Sequence, residues 1–308
     1  MAISVLTSLI EHTPPWADIF NSVEFFNLHK QENSHFLTFN ENSKLLGFCH
    51  FTEIERGIYR SPYKGTYGGF SFLPNLSLDL MDECLAKLIE FFRLQSAKKL
   101  SVVCAPSAHN LNKSSMSSII FRNRGFQISN QELNQSLCID ENCLADKMMS
   151  NNRKRFNKCQ RENFRFARVE GRLEIDDVYE TIKINRLSKG YPVTMTLSQI
   201  YDMVETFPEH TFFFKVTKEG KTTASSICLK LNNEVFYILY WADAPGYEQH
   251  SPVSFLAGGI YEFARERNFK LLDAGISTLN GIPNHGLINF KQNLGFSASL
   301  KLTFEINL

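Results

Sequence analysis

The feature that most constrains this chain is that its two halves read alike. Leu85-Ala-Lys-Leu-Ile-Glu-Phe-Phe-Arg, Lys99-Leu100-Ser-Val and Phe121-Arg-Asn-Arg-Gly125-Phe126 occur in that order in the first half. Leu256-Ala-Gly-Gly-Ile-Tyr-Glu-Phe-Ala-Arg, Lys270-Leu271-Leu-Asp273 and Phe290-Lys-Gln-Asn-Leu-Gly295-Phe296 follow in the second, displaced by about 170 residues throughout. One amphipathic helix matching another is cheap coincidence. Three ordered segments at one displacement point to duplication of a unit containing helix, strand and a late Gly-Phe.

The 308 residues suit two domains of about 150, and 43% hydrophobic residues, 27 of them Phe, are enough to fill two cores. A net charge of +1 leaves no long-range field to draw the protein onto nucleic acid or acidic lipid, so any such binding needs a local patch. Seven scattered Cys with no CxxC read as reduced, mostly buried thiols in a cytoplasmic protein. The eight His show no zinc-ligand spacing with them, so no metal is expected. No leader-like N-terminus and no run of about 18 apolar residues occur, so neither secretion nor a membrane span is expected.

Along the chain, Thr13-Pro14-Pro15-Trp16 reads as a helix start, with Thr13 as cap and Pro14 where its missing N–H costs nothing. Strands are predicted over 35–40 and 45–52, then a glycine-rich segment, Ser61 to Phe70, then a helix over 78–96 and a strand over 100–104. The second half repeats the order: a hairpin over 211–217 and 223–231, a strand over 234–240, a loop from Trp241 to Gln249, and a helix opened by Ser251-Pro252. A strand over 270–273 and a short helix over 289–294 follow. A basic helix over 151–168 separates the halves, and the boundary is placed before it, giving domains 1–145 and 146–308.

This layout resembles the GNAT acyltransferase fold, and within it the FemAB-like group of tandem GNAT proteins. Three segments carry the resemblance: the basic run Asn151 to Arg161, the strand–loop–helix block from Phe236 to Asn268, and Leu272-Asp273-Ala-Gly275 followed by Gly286 to Phe296. The match is good over 150–300 and weaker over 1–140, where Tyr67-Gly68-Gly69-Phe70 is the best part. It implies an α/β (α+β) chain of two tandem domains, each a mixed, mostly antiparallel sheet flanked by helices. It also implies transfer of an acyl or aminoacyl group to an amine on a cell-envelope or amino-sugar precursor, by direct attack without a covalent enzyme intermediate.

Two departures bear on the donor. In place of the GNAT CoA loop, Arg/Gln-x-x-Gly-x-Gly/Ala, stands Asp243-Ala-Pro-Gly246-Tyr-Glu-Gln-His250-Ser251-Pro252, with one glycine. Glycines there let backbone N–H groups approach a pyrophosphate at a helix N-terminus, so acyl-CoA would have to be held by an atypical loop. The long helical insertion of the FemAB transferases that use aminoacyl-tRNA is also missing, which makes tRNA the less favoured donor.

Asp273, at a strand end, is a candidate for orienting or deprotonating the acceptor, Tyr240 for protonating the leaving group, and His250 for acting as base. Gly246, Ser251 and Lys291 are candidates for holding the donor's phosphate or carboxylate. Tyr67, Gly68, Gly69, Arg153, Lys154, Lys158 and Asn284 are candidates for binding substrate; Lys154, Lys158, Arg161 and Arg165 would share one helical face. Each has a plain structural alternative: pocket wall, loop surface, helix cap or solvated helix face. No Gly-x-Ser-x-Gly elbow, Walker loop, HExxH or Gly-x-Gly-x-x-Gly occurs, and Cys104 and Cys228 sit in strand contexts that suit inert packing. Two rivals remain: a non-catalytic ligand-binding tandem GNAT protein with a degenerate CoA loop, and an RNA-binding factor using the 153–168 face.

Overall fold

A computed structural model describes residues 3–308. The first half runs β1 (Ser4–Leu6), α1 (Val23–His29), β2 (Ser34–Glu41), β3 (Lys44–Glu55), β4 (Ile58–Ser61), β5 (Ser71–Phe72), α2 (Leu78–Leu94), β6 (Lys99–Val103), α3 (Leu111–Asn123) and β7 (Gln127–Cys138). Then come α4 (Leu144–Lys147), α5 (Ser150–Arg161), β8 (Arg165–Val169), α6 (Arg172–Ser188), α7 (Leu197–Thr206), β9 (Thr211–Lys218), β10 (Lys221–Lys230) and β11 (Val235–Asp243). The chain closes with α8 (Pro252–Glu266), β12 (Leu271–Ile276), the two-residue strands β13 (Thr278–Leu279) and β14 (Ile282–Pro283), α9 (His285–Asn293) and β15 (Ser297–Asn307).

The chain forms two compact units, each discontinuous in sequence. Unit 1 takes the chain up to Leu133 with Thr278–Ile282 and Ser299–Leu308; unit 2 takes Asn134–Ser277 and Pro283–Ala298. In unit 1 the strands lie in the order β1-β2-β3-β4-β6-β15-β7. In unit 2 the order is β8-β9-β10-β11-β12-β7. Each unit thus has two antiparallel pairs, β2-β3-β4 or β9-β10-β11, followed by a parallel pair, β4 with β6 or β11 with β12. The helix α2 or α8 lies between the parallel strands in sequence, as such a crossover requires.

The repeat seen in the sequence is therefore a repeat of topology, with one difference. The single cut expected at 145/146 does not describe these units, because the last strand of each half serves the other half's sheet. β7 pairs antiparallel with β12, and β15 pairs antiparallel with β6. Nothing in a strand's own alternation says which distant strand it will join.

Side-chain alternation builds the layers. In unit 1, Leu37, Phe39, Cys49 and Phe51 pack with Leu85, Leu88 and Phe92 of α2, while Phe36 and Phe48 face Val23 and Phe26 of α1. In unit 2, Phe212, Phe214 and Val216 meet Leu256, Ile260, Tyr261 and Phe263 of α8 on one face, and Phe213, Ile227 and Tyr240 meet Val178 and Ile182 of α6 on the other. Each such fully buried side chain contributes about 1.5–3 kcal/mol.

Two local expectations are corrected. No helix starts at Thr13: α1 begins at Val23 with Ser22 as its N-cap, and Trp16 packs on Phe48 at 5.4 Å. Thr13 still serves a helix N-terminus, since its hydroxyl accepts the Val23 N–H at 2.9 Å and donates to Glu24. The basic helix stops at Arg161, not 168. Asn163 turns at φ 61°, Phe164 N–H bonds Cys159 O, and the chain pairs with β9 as β8, where Phe166 stacks on Phe214. Arg165 is a strand residue and leaves the helical face.

Candidate active site

The parallel strands of unit 2 part early. β11 and β12 pair at Val235/Leu271, Phe236/Leu272 and Tyr237/Asp273, and there the pairing ends although both strands continue. Both are irregular at that level. On β11, Ile227 faces Tyr240 and Cys228 faces Ile238, so Leu239 has no partner on β10. On β12 the register with β7 breaks between Asp273 and Ile276, where Gly275 takes φ +73°. Bulges free backbone polar groups from the ladder and re-aim side chains. In unit 1 the β4–β6 ladder ends at the equivalent pair, Ser61/Val102, but β4 stops there and Gly68 N–H takes the next β6 carbonyl, Val103 O, at 2.8 Å.

A buried polar cluster sits where β11 and β12 part. Lys291 of α9 is 1% exposed and its ammonium donates to the carbonyls of Gly275 (2.9 Å) and Ile276 (3.0 Å). Asp273, also 1% exposed, accepts from Gly275 N–H at 2.7 Å and from Asn134 Nδ2 at 2.9 Å. Burial lowers the Lys291 pKa to about 7, with the Asp273 charge opposing the fall. Burial, then the Asp273 charge, pushes the Tyr237 phenol well above its usual range. That phenol lies beside Gly275, where an added Cβ would come 3.4 Å from its oxygen.

The repeat shows what this cluster replaces. Both halves end their last helix with the same cap: Gly125 (φ 91°) with Phe126 N–H on Phe121 O, and Gly295 (φ 95°) with Phe296 N–H on Lys291 O. Phe121 and Lys291 therefore hold one position. Strand pairing likewise equates Ser61 opposite Val102 with Tyr237 opposite Asp273. Where unit 1 buries Ser61, Val102 and Phe121, unit 2 buries a phenol, a carboxylate and an ammonium. Burying two charges costs several kcal/mol before pairing, on a backbone that packs apolar side chains in the other copy.

The remaining predicted residues of unit 2 have partners of their own. Tyr240 is buried and its hydroxyl is bonded to Thr194; burial pushes its pKa up, against the Thr194 hydroxyl and Arg186. Asn284 is the N-cap of α9, accepting from Leu287 N–H at 3.0 Å, and its Nδ2 donates to Tyr191 Oη at 3.3 Å. His250 Nδ1 lies 3.0 Å from Glu162, an ion pair when the ring is protonated, and its carbonyl accepts from Cys159. Gly246 N–H donates to the Glu248 carboxylate at 3.0 and 3.1 Å, so the loop's one glycine already holds an anion. Ser251 precedes α8 in the left-handed region, and its hydroxyl meets Ser254 and not the helix backbone.

Elsewhere the predicted residues stand in packing or on the surface. Tyr67 is buried against Phe20 and His109, and Gly69 N–H bonds Ser61 Oγ at 2.8 Å. Arg153, Lys154 and Lys158 are exposed on α5, with Arg153 donating to Met148 O and Lys158 facing Glu162 at 3.6 Å. Burial raises the Cys104 and Cys228 thiols to about 12. Among the described residues, no three His, Cys, Asp or Glu side chains cluster to hold a metal ion, and no helix is long and apolar enough to cross a membrane.

Sequence reasoning named Asp273 and Lys291 separately and missed Asn134, Gly275 and Arg186. The signal for the first pair lay in the repeat itself, where Val aligns with Asp273 and Phe121 with Lys291. No local signal marked Asn134, whose strand comes from the other half.

No family model matches the chain, and no curated protein matches it in sequence. Solved structures share its fold. FemX superposes with a TM-score of 0.73 at 14% identity, covering 97% of this chain and 94% of that one. L-PGS from Bacillus licheniformis gives 0.59 at 9% identity, covering 88% and 83%. A tandem GNAT protein from the clavulanic acid biosynthesis pathway gives 0.51 at 12% identity, covering 89% and 82%. Over nearly its whole length, therefore, this chain has the FemAB-like tandem GNAT fold.

Proposed function

We propose that this protein is an N-acyltransferase whose chemistry lies in unit 2, passing an acyl or aminoacyl group to an amine on a cell-envelope or amino-sugar precursor. The observation that carries the reading is the exchange of Ser61, Val102 and Phe121 in one repeat for Tyr237, Asp273 and Lys291 in the other, at the point where β11 and β12 part.

In this reading the acyl carbonyl enters between the parted strands. The amine nitrogen attacks the carbonyl carbon and a C–N bond forms. The bond from that carbon to the donor's oxygen or sulfur breaks, and the amine's proton passes to the leaving group. Lys291 has three N–H donors, two of them on Gly275 and Ile276 carbonyls. The third meets the developing oxyanion; such a preorganised donor acts strongly where water is excluded. Asp273 is a positioning residue that holds the Gly275 backbone and whose charge favours the ammonium form of Lys291 against burial. Tyr240 relays that proton, its hydroxyl giving one proton to the leaving group and taking the amine's in return.

A second reading, a ligand-binding protein without turnover, draws on the donor loop, where Glu248 takes the Gly246 N–H that a CoA pyrophosphate would need. Incubation with labelled acetyl-CoA, longer acyl-CoAs and aminoacyl-tRNA, each with a panel of amines, separates the two. Transfer that Lys291→Met abolishes supports the first reading. Saturable donor or amine binding with no transfer supports the second. Transfer that survives Lys291→Met overturns the assignment of the chemistry.

A further inference from the structure

The segment between α6 and α7, residues 189–196, is a strap that ties together the two sides of the opening in unit 2. On the β11 side, Thr194 bonds the Tyr240 hydroxyl, and Met195 O accepts from Tyr179 Oη at 3.0 Å. On the α9 side, Tyr191 Oη accepts from Asn284, the cap of the helix that carries Lys291. Under the strap lies Arg186, half-buried near the C-terminal end of α6.

The surroundings of this guanidinium are unusual for a structural arginine. Its carbon lies 5.5 Å from the Tyr240 ring centre and 6.0 Å from that of Tyr191. Its Nε donates to Pro192 O at 2.8 Å. The neighbouring cation does have a carboxylate, since Lys189 pairs with Asp243 at 3.3 Å, and Asn185 also binds Asp243. Among the described residues no carboxylate pairs with Arg186, and neither Nη group has a protein acceptor. Aromatic contacts and the Nε bond fix the plane, so the in-plane Nη fork is left for a ligand. That fork matches an oxyanion in geometry and charge, and little side-chain entropy is left to lose on binding.

We propose that Arg186, held by Tyr191 and Tyr240, is the specificity subsite for the acceptor, which it requires to be a primary amine bearing a carboxylate or phosphate. This rests on the acyl-transfer reading for the word acceptor, but the binding it predicts is measurable without turnover. An oxyanion at Arg186 and the attacking nitrogen near Lys291 would be set apart by the strap itself, which touches both β11 and α9. The charge on the acceptor then decides which amines are placed for attack.

The test measures binding of matched pairs that differ only in the anion, by calorimetry or ligand-observed NMR. β-Alanine against β-alaninamide probes a carboxylate, and phosphoethanolamine against ethanolamine probes a phosphate. In at least one pair the anionic member binds the wild type about tenfold or more tightly than its neutral partner; the pair that shows it names the source. Arg186→Gln removes the preference, and Arg186→Lys, which keeps a charge but loses the fork, keeps only part of it. Circular dichroism confirms that each variant is folded, and if the Gln variant is not, the Lys variant decides. Absence of any anion preference in the wild type, or full preference in Arg186→Lys, overturns the subsite. If Arg186→Gln loses the preference while no donor supports transfer, the subsite stands and the transferase reading fails.

Discussion

Asp273 and Lys291 grip the same residue by its two backbone groups. The carboxylate accepts the Gly275 N–H at 2.7 Å and the ammonium donates to the Gly275 carbonyl at 2.9 Å. The bulged end of β12 is thereby clamped in a site shielded from water, and the Asp273 charge opposes the fall that burial imposes on the Lys291 pKa.

Stability depends on pH through Lys291. Its pKa falls from the ordinary 10.5 to about 7 on burial. Between those values the unfolded chain holds a proton that the folded chain has released, so stability rises with pH, by at most about 1.4 kcal/mol per unit. Below pH 7 both states are protonated and the burial penalty is fully present. Lys291→Met abolishes this slope. Urea denaturation of both proteins at pH 6.5, 8 and 9.5 checks it, with the wild type gaining on the variant at each step.

Catalysis, in the proposed reading, needs the ammonium. Lys291→Met lowers transfer by about 10²–10³-fold, the usual cost of losing one oxyanion donor. The wild-type rate falls as pH rises through about 7, following the Lys291 proton. A rate that instead climbs through pH 7 would assign Lys291 as a base.

Gly258 and Gly259 are required by packing. A Cβ at Gly258 would stand 2.3 Å from the Phe156 ring of α5, and one at Gly259 would stand 2.3 Å from the Phe166 ring of β8. Either alanine substitution costs about 1–3 kcal/mol by overpacking. Phe166→Ala should restore part of the loss in Gly259→Ala, a coupling that a double-mutant cycle reads directly.

Glu248 governs the donor loop. Its carboxylate holds the Gly246 N–H, which in the proposed reading a CoA pyrophosphate would need. Acetyl-CoA at millimolar concentration leaves the wild-type melting temperature unchanged, and Glu248→Ala gains a measurable upward shift. Equal shifts in the two proteins would show that the carboxylate is not the determinant.

The site was legible in the sequence in proportion to how local its signals were. Lys291 was visible through the Phe290-Lys291 motif that carries the family resemblance, and Asp273 because it ends a mostly apolar strand. Tyr240, Asn284 and Gly246 were visible as residue types at strand end, loop and turn. Their actual partners, Thr194, Tyr191 and Glu248, follow from loop conformations that no periodicity describes. Arg186 carried no signal at all, because an arginine on an amphipathic helix looks like any solvated cation until the strap closes over it.

Segments of five to twenty residues carry their own instructions. Short runs bounded by turn residues laid down β2, β3, β9 and β10, which are buried as near-continuous stretches; period 3.6 laid down α2 and α8, and the late glycines ended α3 and α9. The duplication was readable because both copies kept those instructions in one order. The exchange of β7 and β15, the early parting of β11 from β12, and the bridging of that opening by residues 189–196 were decided by tertiary structure. Each depends on which surfaces, more than a hundred residues apart in the exchanged strands, pack best once the chain has paid its loop-closure entropy, and no local pattern holds that comparison.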